Sequence, residues 1–181
     1  KTRIKKLSNK EKKIIKIKIN INKYQKKYGI NLTNNQNFIE FSPTTFKIFK
    51  IISKVLNKMN GGILIIDYGY NKKKMFNTLQ SVKNHKKINL FKRIYNSDIT
   101  HMINFNYYKK KIKELKLGSV KLTTQKDFLL KMGILKRAEM ISKNVSFSKK
   151  ADIYFRLKRL IDDKEMGTLF KVFFATKKYN N

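Results

Sequence analysis

The chain has no cysteine, a single proline and only 11 acidic residues among 181. Without cysteine there is no disulfide scaffold, no thiolate-bound zinc and no thiol nucleophile. With His85 and His101 as its only histidines, a histidine-built zinc site is equally disfavoured. One proline and seven glycines are too few for a linker, and a hydrophobic share of 41% argues against wholesale disorder. The longest purely apolar runs are four residues, such as Ile63 to Ile66, against the ~20 that a membrane-spanning helix needs. The length suits one ordinary domain with a core. The chain opens on Lys1 rather than methionine, from which a processed product or a fragment is expected.

What is abundant is lysine. Formal net charge is +33, so nucleic acid is the first partner to weigh, because each neutralised phosphate releases counterions. Yet 39 of the 44 basic residues are Lys and only five are Arg, whereas specific reading of phosphates and base edges favours the Arg fork. Lys, Ile and Asn together make up 81 residues, against three Ala. That is the bias of an A/T-rich genome, with surplus lysine on solvated faces. Weak, non-specific polyanion binding follows physically in either case.

Residues 1–36 form the most biased stretch. Ile15, Ile17, Ile19 and Ile21 alternate with Lys16, Lys18 and Asn20, a period-two pattern that predicts a strand with one buried face. With a turn at Tyr28–Gly29, the segment reads as a basic hairpin or extended piece. A mitochondrial transit peptide is the weaker alternative, because the stretch is rich in Lys rather than Arg and Ser. Residues 37–175 read as one structured part and 176–181 as a tail.

Ser42 is a good N-cap and Pro43 fits the first helical position. Phe46, Phe49, Ile52, Val55, Leu56 and Met59 then recur at helical spacing, and Gly61 and Gly62 stop the helix. Gly62 to Asp67 reads as a central parallel strand covered on both faces. A helix, a glycine break, a buried strand and a terminal Asp make a fragment of an α/β sheet, whose ligands bind beyond the carboxyl ends of the strands. A second helix is expected over 104–117 with Gly118 as its stop, then a strand over 119–124. Short helices follow at Phe128 to Leu130, Ile134 to Ile141 and Ala151 to Ile161. Thr168 to Ala175 is the closing strand.

These residues resemble a known family. The run Gly61-Gly-Ile-Leu-Ile-Ile-Asp-Tyr-Gly-Tyr70, then Thr78-Leu-Gln-Ser-Val-Lys-Asn-His85, then Asp98-Ile-Thr100 with Phe105 resembles the MidA-type methyltransferases. So do Ile39-Glu-Phe-Ser-Pro43, Thr124 to Ile134 with Arg137, and Arg159-Leu-Ile161 followed by Met166 to Val172. These S-adenosyl-L-methionine-dependent enzymes assist assembly of respiratory complex I in mitochondria and have bacterial relatives. The resemblance implies the C-terminal portion of a class I, Rossmann-like methyltransferase sheet of seven strands, the last antiparallel, with a helical insertion before that strand. It also implies methylation of an arginine on a protein substrate, with a complex I subunit as the candidate, in the bacterial cytoplasm or mitochondrial matrix. The family's Gly-rich cofactor loop has no counterpart here: no G-x-G-x-x-G occurs. S-adenosyl-L-methionine is therefore expected to be bound mainly by a missing N-terminal half, and this chain alone is expected to be inactive.

Asp67 and Tyr68 are the leading catalytic candidates, since a carboxylate at a strand's carboxyl end can hold a guanidinium by charge-assisted hydrogen bonds. The plainer reading of Asp67 is a brace for a loop, and Gly69 reads as a turn glycine. His85 is the third candidate, an orienting donor or proton acceptor, or else a surface histidine among lysines. Asp98, Thr100, Gln125 and Glu40 are candidate substrate contacts; the alternatives are an Asx turn for Asp98 and helix-end support for Gln125 and Glu40. Asp162, Asp163 and Glu165 read as solvated charges at a helix end rather than half a cation site. A reading from another class is a basic RNA- or ribosome-associated binding protein that keeps a degenerate methyltransferase fold.

Overall fold

The structure, a computed structural model, describes residues 3–7, 14–28, 31, 38–40, 42–84, 86–89 and 96–177. In chain order the elements are β1 (Arg3–Leu7), β2 (Ile14–Lys18), α1 (Ile21–Tyr28), α2 (Pro43–Lys58), β3 (Gly62–Tyr70), β4 (Gln80–Lys83), β5 (Lys86–Ile88), β6 (Asp98–Thr100) and β7 (Ile103–Asn104). There follow α3 (Phe105–Glu114), β8 (Leu117–Thr124), α4 (Gln125–Lys131), α5 (Ile134–Ser142), α6 (Phe147–Ile161), α7 (Met166–Leu169) and β9 (Phe170–Lys177). They fall into two compact units, one from 1–46 with 74–102 and the other from 47–73 with 103–181.

In the first unit β1 and β2 pair antiparallel, Arg3 opposite Lys18 and Leu7 opposite Ile14. The isoleucine alternation predicted a strand through Ile21, but the strand ends at Lys18 and Ile21 opens α1. Asn20 causes the switch: its side-chain oxygen accepts from the Lys23 amide at 3.2 Å, capping the helix. Tyr28 is thus the last residue of a helix rather than part of a hairpin turn, and Gly29 lies outside the described residues. The same unit holds a three-stranded antiparallel sheet in the order β5-β4-β6, which the sequence did not reveal.

The second unit is built on a mixed sheet in the order β7-β3-β9-β8. β9 runs antiparallel to both β3 and β8, while β7 is parallel to β3. This is the Rossmann-like α/β arrangement with a reversed final strand, represented by four strands among the described residues. On one face Phe173 and Ala175 are fully buried, and Phe105 of α3 stacks on Phe173 at 6.1 Å. Tyr108 meets Phe105 edge-on at 5.8 Å and Phe49 of α2 at 4.9 Å, bringing α2 into this layer. Aromatic pairs of this kind add about 0.5–1.5 kcal/mol each beyond the area they bury. The four helices α4 to α7 lie between β8 and β9 in sequence and pack on one another, the expected helical insertion.

α2 starts as its sequence directs: the Ser42 hydroxyl accepts from the Thr45 amide at 3.4 Å, and Pro43 is the first helical residue. Its buried stripe is Phe46, Phe49, Ser53 and Leu56, whereas Val55 and Met59, predicted on that face, are 49% and 64% exposed. Ser53 can be buried because its hydroxyl donates to the Lys50 carbonyl at 3.0 Å.

Three further expectations are corrected. β3 is not a parallel strand covered on both faces: its main neighbour is antiparallel, and Leu64 and Ile66 are 51% and 45% exposed. An apolar run reports burial tendency, not the identity of the neighbour. Gly118 does not stop α3 but lies inside β8; the left-handed residue after that helix is Lys116, with φ 61°. The closing strand starts at Phe170 rather than Thr168, because Met166–Leu169 form the turn of helix α7. Gly167 allows that turn: a Cβ there would meet the Ile161 carbonyl oxygen at 2.5 Å.

Gly69 is not a turn glycine either. It is buried within β3 beside Ile103 of β7, and a Cβ would lie 2.3 Å from the Ile103 carbonyl oxygen and 2.7 Å from the Phe105 ring. Gly69→Ala is expected to destabilise the unit by about 1–3 kcal/mol, the usual cost of overpacking, read as a lower urea midpoint. An unchanged midpoint would contradict this geometry.

Candidate active site

The strand expected to end at Asp67 continues through Tyr70, so Asp67 lies within β3, where the antiparallel register sets it opposite Lys171 of β9, and Lys171 opposite Thr124 of β8. Directly opposed residues project from the same face of a sheet, so the three form a row across it. The Asp67 carboxylate is exposed, and its Oδ1 accepts from the Tyr68 amide at 2.7 Å. Oδ2 remains able to accept from a cationic N–H. Tyr68 points to the other face, its ring edge-on to Phe170 at 5.5 Å. Lys171 is half-buried and its Nζ donates to the Thr168 carbonyl. Burial pulls its pKa below the usual lysine value, because desolvation penalises the charged form.

Thr124 ends β8 and caps α4: its Oγ1 accepts from the Asp127 amide at 3.1 Å and donates to Asp127 Oδ2 at 2.6 Å. Gln125 follows and is buried, with Nε2 donating to the Leu160 carbonyl at 2.9 Å. It therefore ties the first turn of α4 to the end of α6. Asp163 pairs with Lys126 at 3.0 Å and Asp162 accepts from the Lys164 amide at 2.8 Å, so both serve the end of α6. In α3, Asn104 caps the helix by accepting from the Tyr107 amide at 3.3 Å. Burial, then the nearby Glu114 carboxylate, holds the Tyr107 phenol well above its ordinary pKa.

In the other unit Glu40 and Thr100 are hydrogen-bonded to Thr78 and Gln80, while Asp98 lies opposite Val82. Glu40 grips Thr78 twice, Oε1 accepting from its amide at 3.1 Å and Oε2 from its hydroxyl at 2.5 Å. The same hydroxyl accepts from the Met102 amide at 2.9 Å. β4 and β6 align Gln80 with Thr100 and Val82 with Asp98, and Gln80 Nε2 donates to Thr100 Oγ1 at 3.3 Å. Ser81, almost wholly buried, donates to Ser97 Oγ at 2.8 Å. The Thr78-Leu-Gln and Asp98-Ile-Thr motifs, twenty residues apart in sequence, are thus one hydrogen-bonded cluster. Asp98 itself is exposed. His85 lies outside the described residues.

Sequence reasoning named Glu40 and Thr100 but not Thr78, Gln80 or Lys171. Thr78 and Gln80 stood in the motif without a signal of pairing, and one lysine among 39 gives no signal at all.

A cradle for S-adenosyl-L-methionine needs a glycine loop for close backbone approach and a carboxylate for the ribose hydroxyls. Of the described glycines, Gly62, Gly69 and Gly167 are closed off by neighbouring backbone, and Gly133, which has open space around it, joins α4 to α5 rather than following a strand of the sheet. Asp67 is the one carboxylate that the described strands of the mixed sheet carry. The described residues do not fit the cofactor.

The fold defines a class: a Rossmann-like α/β sheet with a reversed final strand, here presenting an exposed carboxylate from β3. A family model described as "Putative S-adenosyl-L-methionine-dependent methyltransferase" matches residues 5–123, and the chain belongs to that family. Two solved structures from Burkholderia thailandensis, both COG1565 superfamily proteins, are similar to it. Each is 18% identical with a TM-score of 0.70 over 99% of this chain, and one is bound to S-adenosyl-homocysteine. The chain spans about half of their length, 49% and 48%.

Thr78→Val removes the hydroxyl shared by Glu40 and Met102. It should cost about 1–3 kcal/mol, the penalty for stranding part-buried partners, and speed hydrogen exchange at the Met102 amide. Unchanged exchange there would contradict the cluster.

Proposed function

We propose that the chain is the C-terminal part of a MidA-type protein arginine methyltransferase that acts in respiratory complex I assembly. Residues 37–175 supply the substrate side, and S-adenosyl-L-methionine is held mainly by an N-terminal half. The reading is carried by Asp67, an exposed carboxylate in the C-terminal half of β3 with one oxygen fixed by the Tyr68 amide. The fixed oxygen sets the plane of the carboxylate; the other accepts from a guanidinium and orients it. Tyr68, braced on Phe170, limits where the Asp67 backbone can sit. Within the first unit the Glu40–Thr78–Met102 cluster and the Gln80–Thr100 bond hold the segment around Asp98 in a fixed shape. The substrate is a complex I subunit, met in the bacterial cytoplasm or the mitochondrial matrix.

The test is mass spectrometry of complex I subunits from cells with and without the gene. Deletion should remove a methylarginine, wild-type protein should restore it, and Asp67→Asn should restore it at a rate lower by about 10²-fold, the usual cost of misplacing a reacting group. Full restoration by Asp67→Asn, or no change in methylarginine on deletion, would refute the reading.

A further inference from the structure

Helix α6 carries two apolar faces, and only one of them is packed. Leu157 is buried, Ile153, Leu160 and Ile161 are half-buried, and the helix packs on α4, α5 and α7. The other face consists of Phe147, Ala151, Tyr154 and Phe155. At 3.6 residues per turn these four side chains fall within an arc of roughly 100°. All four are exposed, Phe147 to 88%, Phe155 to 70% and Tyr154 to 41%. The exposed apolar residues of α5 do not line up in this way: Leu135, Met140 and Ile141 point roughly 100–140° apart around that helix.

Around the α6 stripe the charge has one sign. The helix holds five cationic residues and one acidic one, Asp152. Lys150 flanks the stripe on one side, Arg159 on the other, and Lys158 closes its C-terminal end; all three are exposed. Asp152 lies off the stripe and is paired with Arg156 at 2.8 Å. Beyond the helix, Asp163 is paired with Lys126. Tyr154 and Lys158 also line an open cavity of about 320 Å³ together with Leu157, Ile161 and Asp162, so the apolar surface continues into a recess.

An occupant of this face must be apolar and anionic at once. Phe147 and Phe155 stand outward rather than lining a cleft, and Lys offers a point charge rather than a geometric fork. A lipid surface suits that combination. Apolar side chains enter the boundary between headgroups and acyl chains, while long basic side chains reach back to anionic headgroups. No helix among the described residues is long and apolar enough to cross a membrane, so the contact is with its surface.

We propose that α6 docks the chain on an anionic lipid bilayer. The helix lies in the plane of the interface, with Phe147, Tyr154 and Phe155 inserted and Lys150, Lys158 and Arg159 at headgroup level. Its 15 residues give a contact about 22 Å long. An enzyme held in this way meets its substrates at a membrane surface. Docking through α6 requires neither an arginine target nor a bound cofactor, so its failure would leave the proposed methylation untouched.

The chain has no tryptophan, so Phe155→Trp places a single fluorescent reporter on the stripe. Arg156→Trp, roughly 150° round the helix from the stripe, is its control. Each variant is titrated with vesicles of phosphatidylglycerol and phosphatidylcholine in equal parts. With these vesicles the Phe155→Trp emission should shift to the blue and be quenched by lipids brominated on their acyl chains. The Arg156→Trp emission should stay at the wavelength of exposed tryptophan. Adding Phe147→Ser to the reporter, at a position 88% exposed, should weaken vesicle binding about tenfold at constant charge. Vesicle binding without a blue shift, equal shifts at both positions, or undiminished binding by the serine variant would overturn the proposal. A blue shift that grows with protein concentration in the absence of lipid would make a second copy the occupant. A reporter that responds to polyuridylic acid but not to vesicles would make it RNA; either result would also overturn the proposal.

Discussion

Two backbones approach each other closely where β3 meets β7. Gly69 of β3 lies against Ile103 of β7 so tightly that one added methyl group would sit 2.3 Å from a carbonyl oxygen. That contact fixes where β7 ends and where α3 begins, because Asn104, its second residue, is also the helix cap. It sets Phe105 against the missing side chain of Gly69 and against Phe173, both rings being fully buried. The layer of α3 and α2 on the sheet therefore follows from a glycine two residues past Asp67. The Asp-Tyr-Gly sequence thus combines an outward carboxylate, an aromatic brace and a space reserved for another backbone.

Two of the carboxylates singled out in the sequence, Glu40 and Asp67, are used in opposite ways. Glu40 spends both oxygens on Thr78, and its group closes a loop cluster within the first unit. Asp67 gives one oxygen to the next amide, and its side chain is exposed. A charged group whose acceptors are filled by protein donors is stabilised where it is, whereas one with an open acceptor can still gain from a cationic ligand. This difference is why Asp67 rather than Glu40 carries the functional proposal.

The sequence disclosed the elements that rest on local signals. Ser42-Pro43 marked the start of α2, and helical periodicity marked α5 and the body of α6. It misjudged those whose form depends on distant partners. Four apolar residues made β3 a strand, but nothing local said that its neighbour would be antiparallel β9 or that one edge would lie open. The period-two isoleucines outran their strand because Asn20 caps a helix. β4, β5 and β6 are three or four residues long and largely polar, too short for periodicity to register. The family resemblance picked out the motifs at Thr78 and Asp98 without showing that they are paired strands. Of the candidate site, Asp67 was legible as the carboxylate after a local apolar run, although its strand runs on to Tyr70; Lys171 was not, because only the register of β9 brings it opposite.

The central claim is a division of labour: this chain orders the substrate side and leaves the cofactor to another half of the fold. Calorimetric titration of these 181 residues with S-adenosyl-homocysteine tests it most directly. The division predicts no saturable heat up to about 1 mM ligand, a binding free energy no better than about −4 kcal/mol. A one-to-one isotherm with a dissociation constant of about 1 μM would place the cofactor site within this chain and contradict the claim.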